Sequence, residues 1–161
     1  MAITYTWTVD SMSVLQTPDP DYVVIGDTHS YNYEKVVTAS RLVRDGAKLI
    51  GTNPDITGPS EQGIIPATKA LVAPIELATG KPAYYIGKPN PLMMRIALKK
   101  LGQQREDTLI IGDRMDTDII AGIESEIETC LVLSGCETEA SINNYPYSPN
   151  FVLNGVLDIT S

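Results

Sequence analysis

The sequence predicts a mixed α/β protein built on parallel strands, and three observations carry that reading. Short apolar runs alternate with helical patterns over most of the chain, the arrangement of strands joined by crossover helices. Two of these runs, Tyr84-Tyr85-Ile86 and Leu109-Ile110-Ile111, pass directly into charged turns. The turns, Gly87-Lys88-Pro89 and Gly112-Asp113-Arg114-Met115-Asp116-Thr117-Asp118, each precede a helix. Ligands of open α/β sheets bind outside the carboxyl ends of the strands, so chemistry is expected at those turns.

The elements follow in order. Ile3, Tyr5, Trp7 and Val9 alternate with Thr4, Thr6 and Thr8, the period of two of a strand, which runs into Asp10-Ser11-Met12-Ser13. A loop at Pro18 and Pro20 leads to a strand over 22–26. A helix follows over 33–45, with Val36, Ala39, Ser40 and Val43 on one stripe and Gly46 as its stop. A strand over 47–51 returns, and the Gly- and Pro-rich stretch 52–65 reads as a loop. The next helix, over 67–79, begins after Pro66 and ends at Gly80. Pro74 inside it removes a backbone donor, so a kink or break is expected there. The helix over 91–101 is capped by Asn90 and Gly102 and sets Met94, Ala97, Leu98 and Leu101 at core spacing.

Composition narrows the function. With 161 residues the chain can bury one substantial core, or two small ones if it divides into lobes. Twelve basic against 20 acidic side chains give a net charge of −8, which argues against nucleic acid or an anionic membrane as partner. No stretch has the length of a membrane-spanning helix, and the N-terminus carries neither a basic region nor a long apolar run, so a cytoplasmic location is expected. Cys130 and Cys136 match neither a zinc knuckle nor a redox pair and read as reduced and structural. His29, the single histidine, reads as a solvated loop residue.

The chemistry concentrates in the two turns. Asp113 and Asp118 offer hard carboxylate oxygens that suit Mg²⁺, and Lys88 adds an ammonium, together a charge clamp for a phosphoryl group. Gly-Lys-Pro followed by Gly-Asp and a later Thr117-Asp118 resembles the third and fourth motifs of the haloacid dehalogenase (HAD) superfamily. Several segments are similar to its NagD-type phosphatase branch: Asp21-Tyr22-Val23-Val24-Ile25-Gly26, Tyr31-Asn32-Tyr33-Glu34-Lys35, Gly51-Thr52-Asn53-Pro54-Asp55, Ala67-Thr68-Lys69-Ala70 and Pro146-Tyr147-Ser148-Pro149. The resemblance covers about residues 20–161.

It implies a HAD-like Rossmannoid parallel sheet, here an incomplete core, with a smaller α/β cap. Residues 1–17 would hold an N-terminal strand, either that of the nucleophile or an ordinary edge strand, residues 18–80 the cap and residues 81–161 the core. The implied activity is Mg²⁺-dependent hydrolysis of a small phosphorylated metabolite through an aspartyl-phosphate. Lys88 would neutralise phosphate oxygens, while Asp113 and Asp118 would serve the metal. Asp10 would be nucleophile and third metal carboxylate. Thr117 would line the same turn, with Arg114 solvated. Thr52, Asn53 and Asp55 would face the substrate, although Asn-Pro-Asp is also a good turn sequence by itself.

The chain departs from the family pattern in three places. Met12 stands where the family's second Asp, the general acid and base, belongs, and the strands that normally separate the nucleophile from the cap are missing. Glu126 occupies a helix end where the family places Gly, which predicts a steric cost or a rearranged corner. Two function classes follow: a phosphatase in shortened or partial form, or a non-catalytic fragment that keeps a metal and phosphate pocket and acts mainly in assembly. The missing strands would also leave an exposed sheet edge, so a homo-oligomer formed through that edge or the cap is expected.

Overall fold

The computed structural model describes residues 20–28, 30–61 and 63–160, so the alternating strand pattern, Asp10, Met12 and His29 lie outside the described residues. The chain forms two compact units, the first ending at Gly87 and the second starting at Lys88.

In the first unit β1 (Tyr22–Ile25), β2 (Lys48–Gly51) and β5 (Tyr84–Tyr85) form a parallel sheet in the order β1-β2-β5. Residues 81–87, grouped by the sequence pattern with the second half, stay here because β5 pairs with β2 at Ile50↔Tyr84 and Gly51↔Tyr85. Helix α1 (Tyr33–Asp45) starts where the Asn32 side chain accepts the Lys35 N–H at 3.0 Å. Its expected stripe is inward, for Ala39 and Val43 are buried with Val36 packed beside them. Val23, Ala47, Leu49, Val72 and Ile75 complete that core. Each large aliphatic buried there contributes about 1.5–3 kcal/mol.

Two expectations for this unit change. The stretch read as a loop holds an antiparallel hairpin, β3 (Thr57–Ser60) with β4 (Gly63–Pro66). Ile64 and Ile65 are both exposed, so no apolar alternation marked it, and a two-stranded ribbon tolerates Pro at its edges. Helix α2 (Thr68–Thr79) runs without a break through Pro74. Thr68, Leu71, Val72 and Ile75 are buried along it, and this packing holds the helix across the missing donor.

In the second unit β6 (Leu109–Gly112), β7 (Glu128–Val132) and β8 (Phe151–Leu153) form another parallel sheet, β6-β7-β8. Among the described residues β6 pairs only with β7, and Leu109 and Ile111 on it are 38% and 41% exposed. Helix α3 (Pro91–Leu101) has the expected caps, Asn90 accepting the Leu92 N–H and Gly102 left-handed at φ 67°. Its apolar stripe does not form a core: no α3 residue is fully buried, and Leu101 is 65% exposed. The buried apolar centre is instead small, Met115, Ile119 and Leu131, with Leu133, Ile142, Tyr145 and Tyr147 against it.

After α4 (Ile120–Glu124) the chain turns through Ser125 and Glu126 into β7. Glu126 adopts the left-handed conformation at φ 57°, so the corner keeps its shape and a side chain bears the cost. Its carboxylate pairs with Arg105, but both side chains are mostly solvated and the pair contributes little. Glu126→Gly is therefore expected to stabilise the protein by about 0.5–1 kcal/mol, read as a higher midpoint in chemical denaturation with an unchanged slope. A lower midpoint would contradict the account.

Candidate active site

The site grows from the end of β6. After Gly112 and Asp113 the backbone enters a wide π-type turn, Met115–Ile119, in which the N–H groups of Asp118 and Ile119 both reach the Arg114 carbonyl at 3.1 Å. Such turns are rare and concentrate at functional positions. This one carries Asp118 back over Gly112. A Cβ at residue 112 would lie 2.2 Å from the Asp118 Cβ and Cγ, so only glycine leaves room for the carboxylate.

Asp118 is buried, and a buried carboxylate must be compensated. Lys88 pairs with its Oδ1, and the Arg114 backbone N–H donates to its Oδ2 at 3.2 Å. The Lys88 side chain is 41% exposed, so the ammonium joins the buried carboxylate to the surface.

Asp113 is held from the loop after β7. The Cys136 N–H donates to its Oδ2 at 3.2 Å, and a Cβ on Gly135 would lie 2.1 Å from that same oxygen. The Asp113 carboxylate, hydrogen-bonded to the thiol, raises the pKa of Cys136, and burial adds to the effect. Glu137 follows. Its carboxylate accepts from the Met115 N–H at 3.4 Å, the Ser141 hydroxyl at 2.5 Å and the Tyr145 hydroxyl at 3.2 Å. The Tyr147 hydroxyl donates to the Met115 carbonyl at 3.2 Å.

The structure thus brings Lys88 and Asp118 into contact and places Asp113 at the end of β6, just before the turn that carries Asp118. Thr117 is buried in that turn. Arg114 is engaged by Asp116 through two hydrogen bonds, at 3.0 and 2.8 Å. Among the described residues no group of three or more His, Cys, Asp and Glu could hold a metal, and Asp10 is not among them.

Thr52, Asn53 and Asp55 belong to the first unit, where they cluster at the carboxyl ends of β1 and β2. The Asn53 amide donates to Asp27 at 3.3 Å and its carbonyl accepts the Asp55 N–H at 3.2 Å. The Thr68 hydroxyl donates to Asp27 at 2.7 Å and lies 3.3 Å from that of Thr52. Gly87 closes against this corner, since a Cβ there would stand 2.3 Å from the Thr52 carbonyl oxygen.

Sequence reasoning missed Asp27, Thr68 and Glu137. Asp27 had a usable signal, its place just after a strand. Glu137 had none, because its partners lie 4, 8 and 22 residues away along a chain without periodic pattern there.

A HAD-hydrolase-like family model matches residues 85–159. The dihydroxyacetone phosphatase of Corynebacterium glutamicum (strain R) is 49% identical over 91% of this chain and 53% of its own length. The ribonucleotide monophosphatase NagD of Escherichia coli (strain K12) is 41% identical over 88% of this chain and 55% of its own. Among solved structures, the p-nitrophenyl phosphatase from Archaeoglobus fulgidus superposes with a TM-score of 0.81 at 34% identity, over 88% of this chain and 56% of that one. The chain therefore spans about half the length of the curated relatives it matches. With this partial span, its parallel-stranded α/β fold and its lysine and aspartate turns, the chain matches the NagD-type branch of the HAD superfamily.

Proposed function

We propose that this chain carries the metal and phosphate half of a Mg²⁺-dependent phosphatase acting on small phosphorylated metabolites. One observation carries the reading: Lys88 meets the buried Asp118 on the turn that follows Asp113 at the end of β6.

The donor set fits the metal. Mg²⁺ keeps several waters and is typically held by one or two carboxylates, and the segment after β6 offers two, Asp113 and Asp118. Asp113 and Asp118 would hold the ion, which supplies charge neutralisation for phosphate oxygens when bound. Lys88 orients and neutralises from the other side, and Thr117 lines the turn. In this reading a carboxylate attacks phosphorus as the bond to the leaving alcohol breaks, and water then cleaves the aspartyl-phosphate. Asp10 is the candidate for that attack and for a third carboxylate on the metal. Asp27, Thr52, Asn53 and Asp55 are the candidates for contacts with the leaving group.

A second reading rests on Met12. A thioether cannot protonate a leaving alcohol, so the chain would keep a pocket for metal and phosphate and serve in assembly. In both readings the edge of β6, which among the described residues pairs only with β7, supports a homo-oligomer. The free thiols Cys130 and Cys136 support the cytoplasm as compartment.

With Mg²⁺ the purified chain is expected to hydrolyse p-nitrophenyl phosphate, and Asp113→Asn and Lys88→Met to lower the rate about 100-fold or more. Asp10→Asn should abolish it if the shortened form is complete. Turnover indifferent to all three changes would refute the chemistry, and no turnover in the wild type would favour the assembly reading. Sedimentation at micromolar concentration should give a dimer or larger species, and a stable compact monomer would refute the oligomer.

A further inference from the structure

Three consecutive residues after β7 grip the segment that carries the two carboxylates. Gly135 packs on the Asp113 oxygen, the Cys136 N–H donates to it, and Glu137 accepts from the Met115 N–H. Met115 lies between Asp113 and Asp118 in sequence and is fixed on every side. Its side chain is fully buried, its N–H faces Glu137 and its carbonyl accepts from Tyr147. Glu137 is itself pinned, by Ser141 at 2.5 Å and Tyr145 at 3.2 Å. The Tyr145 and Tyr147 rings stand 5.5 Å apart, so the two hydroxyls that reach this peptide and its acceptor belong to one packed unit.

We propose that Glu137 is a positioning residue for the divalent cation: it sets the spacing of the Asp113 and Asp118 carboxylates by locking the Met115 peptide between them. The inference rests on the reading of those carboxylates as metal ligands. Glu137 works as a fixed acceptor, and its charge is secondary. Groups that orient metal ligands without touching the metal typically account for 10- to 100-fold in affinity.

The test is Mn²⁺ binding to the full chain, read from loss of the free-ion electron paramagnetic resonance signal. Wild type should bind, and Asp113→Asn should weaken binding most. Glu137→Ala should weaken it about 10-fold. Glu137→Gln, whose amide oxygen still accepts from Met115 and Tyr145, should stay within about threefold of wild type. Tyr145→Phe, which removes one hydroxyl and keeps the ring, should fall between them and serves if Glu137→Ala does not fold. A Glu137→Ala or Tyr145→Phe protein that binds like wild type overturns the proposal while leaving the site reading intact. Equal losses in the Ala and Gln variants overturn it too, since they would assign the effect to charge. Wild type that binds no Mn²⁺, or binds it regardless of Asp113→Asn, overturns the site reading and the proposal with it.

Discussion

The buried carboxylate of Asp118 is the constraint around which the second unit is arranged. An ionised group removed from water costs several kcal/mol unless charge and hydrogen bonds replace its hydration. Here the replacements are the Lys88 ammonium and the Arg114 backbone N–H. Three choices in sequence follow. Residue 112 has to be glycine, the turn has to be wide enough to fold residue 118 back over it, and the segment before α3 has to end close to β6. A hydrophobic residue at 118 would pack with less electrostatic penalty, and the chemistry proposed for this strand end accounts for the cost.

Much of this was legible in the sequence because local signals coincide there. The helix at Tyr33–Asp45 was bounded by Asn32 and Gly46 and striped at a helical period, and it stands where the pattern put it. Strand ends with charged turns were legible for the same reason. The hairpin was not, since its exposed Ile64 and Ile65 and its prolines have no period that distinguishes a ribbon from a loop. The stripe on α3 was read correctly as a pattern and wrongly as a core, because spacing says which residues share a face and nothing about what covers it. Glu126 shows a different limit. Its left-handed backbone is imposed by the path from α4 into β7, against the preference of the residue itself.

The same distinction separates the carboxylates from what holds them. Asp113 and Asp118 stand in one short motif, whereas Cys136, Glu137, Ser141, Tyr145 and Tyr147 come from an irregular stretch that only folding brings to the turn. That stretch also supplies part of the unit's small apolar centre through Ile142, Tyr145 and Tyr147. Packing and alignment are therefore carried by the same side chains, and a change that loosens one loosens the other.

The outer side of β6 has a thermodynamic meaning of its own. Among the described residues the ladder stops at this half-exposed strand, and whatever extended segment pairs with its backbone donors and acceptors joins the folding equilibrium as a reactant. The free energy of the second unit then includes a mass-action term, growing with the logarithm of the effective concentration of the pairing strand. A tethered segment presents itself at a fixed, high effective concentration, whereas a separate chain does so only in proportion to its abundance.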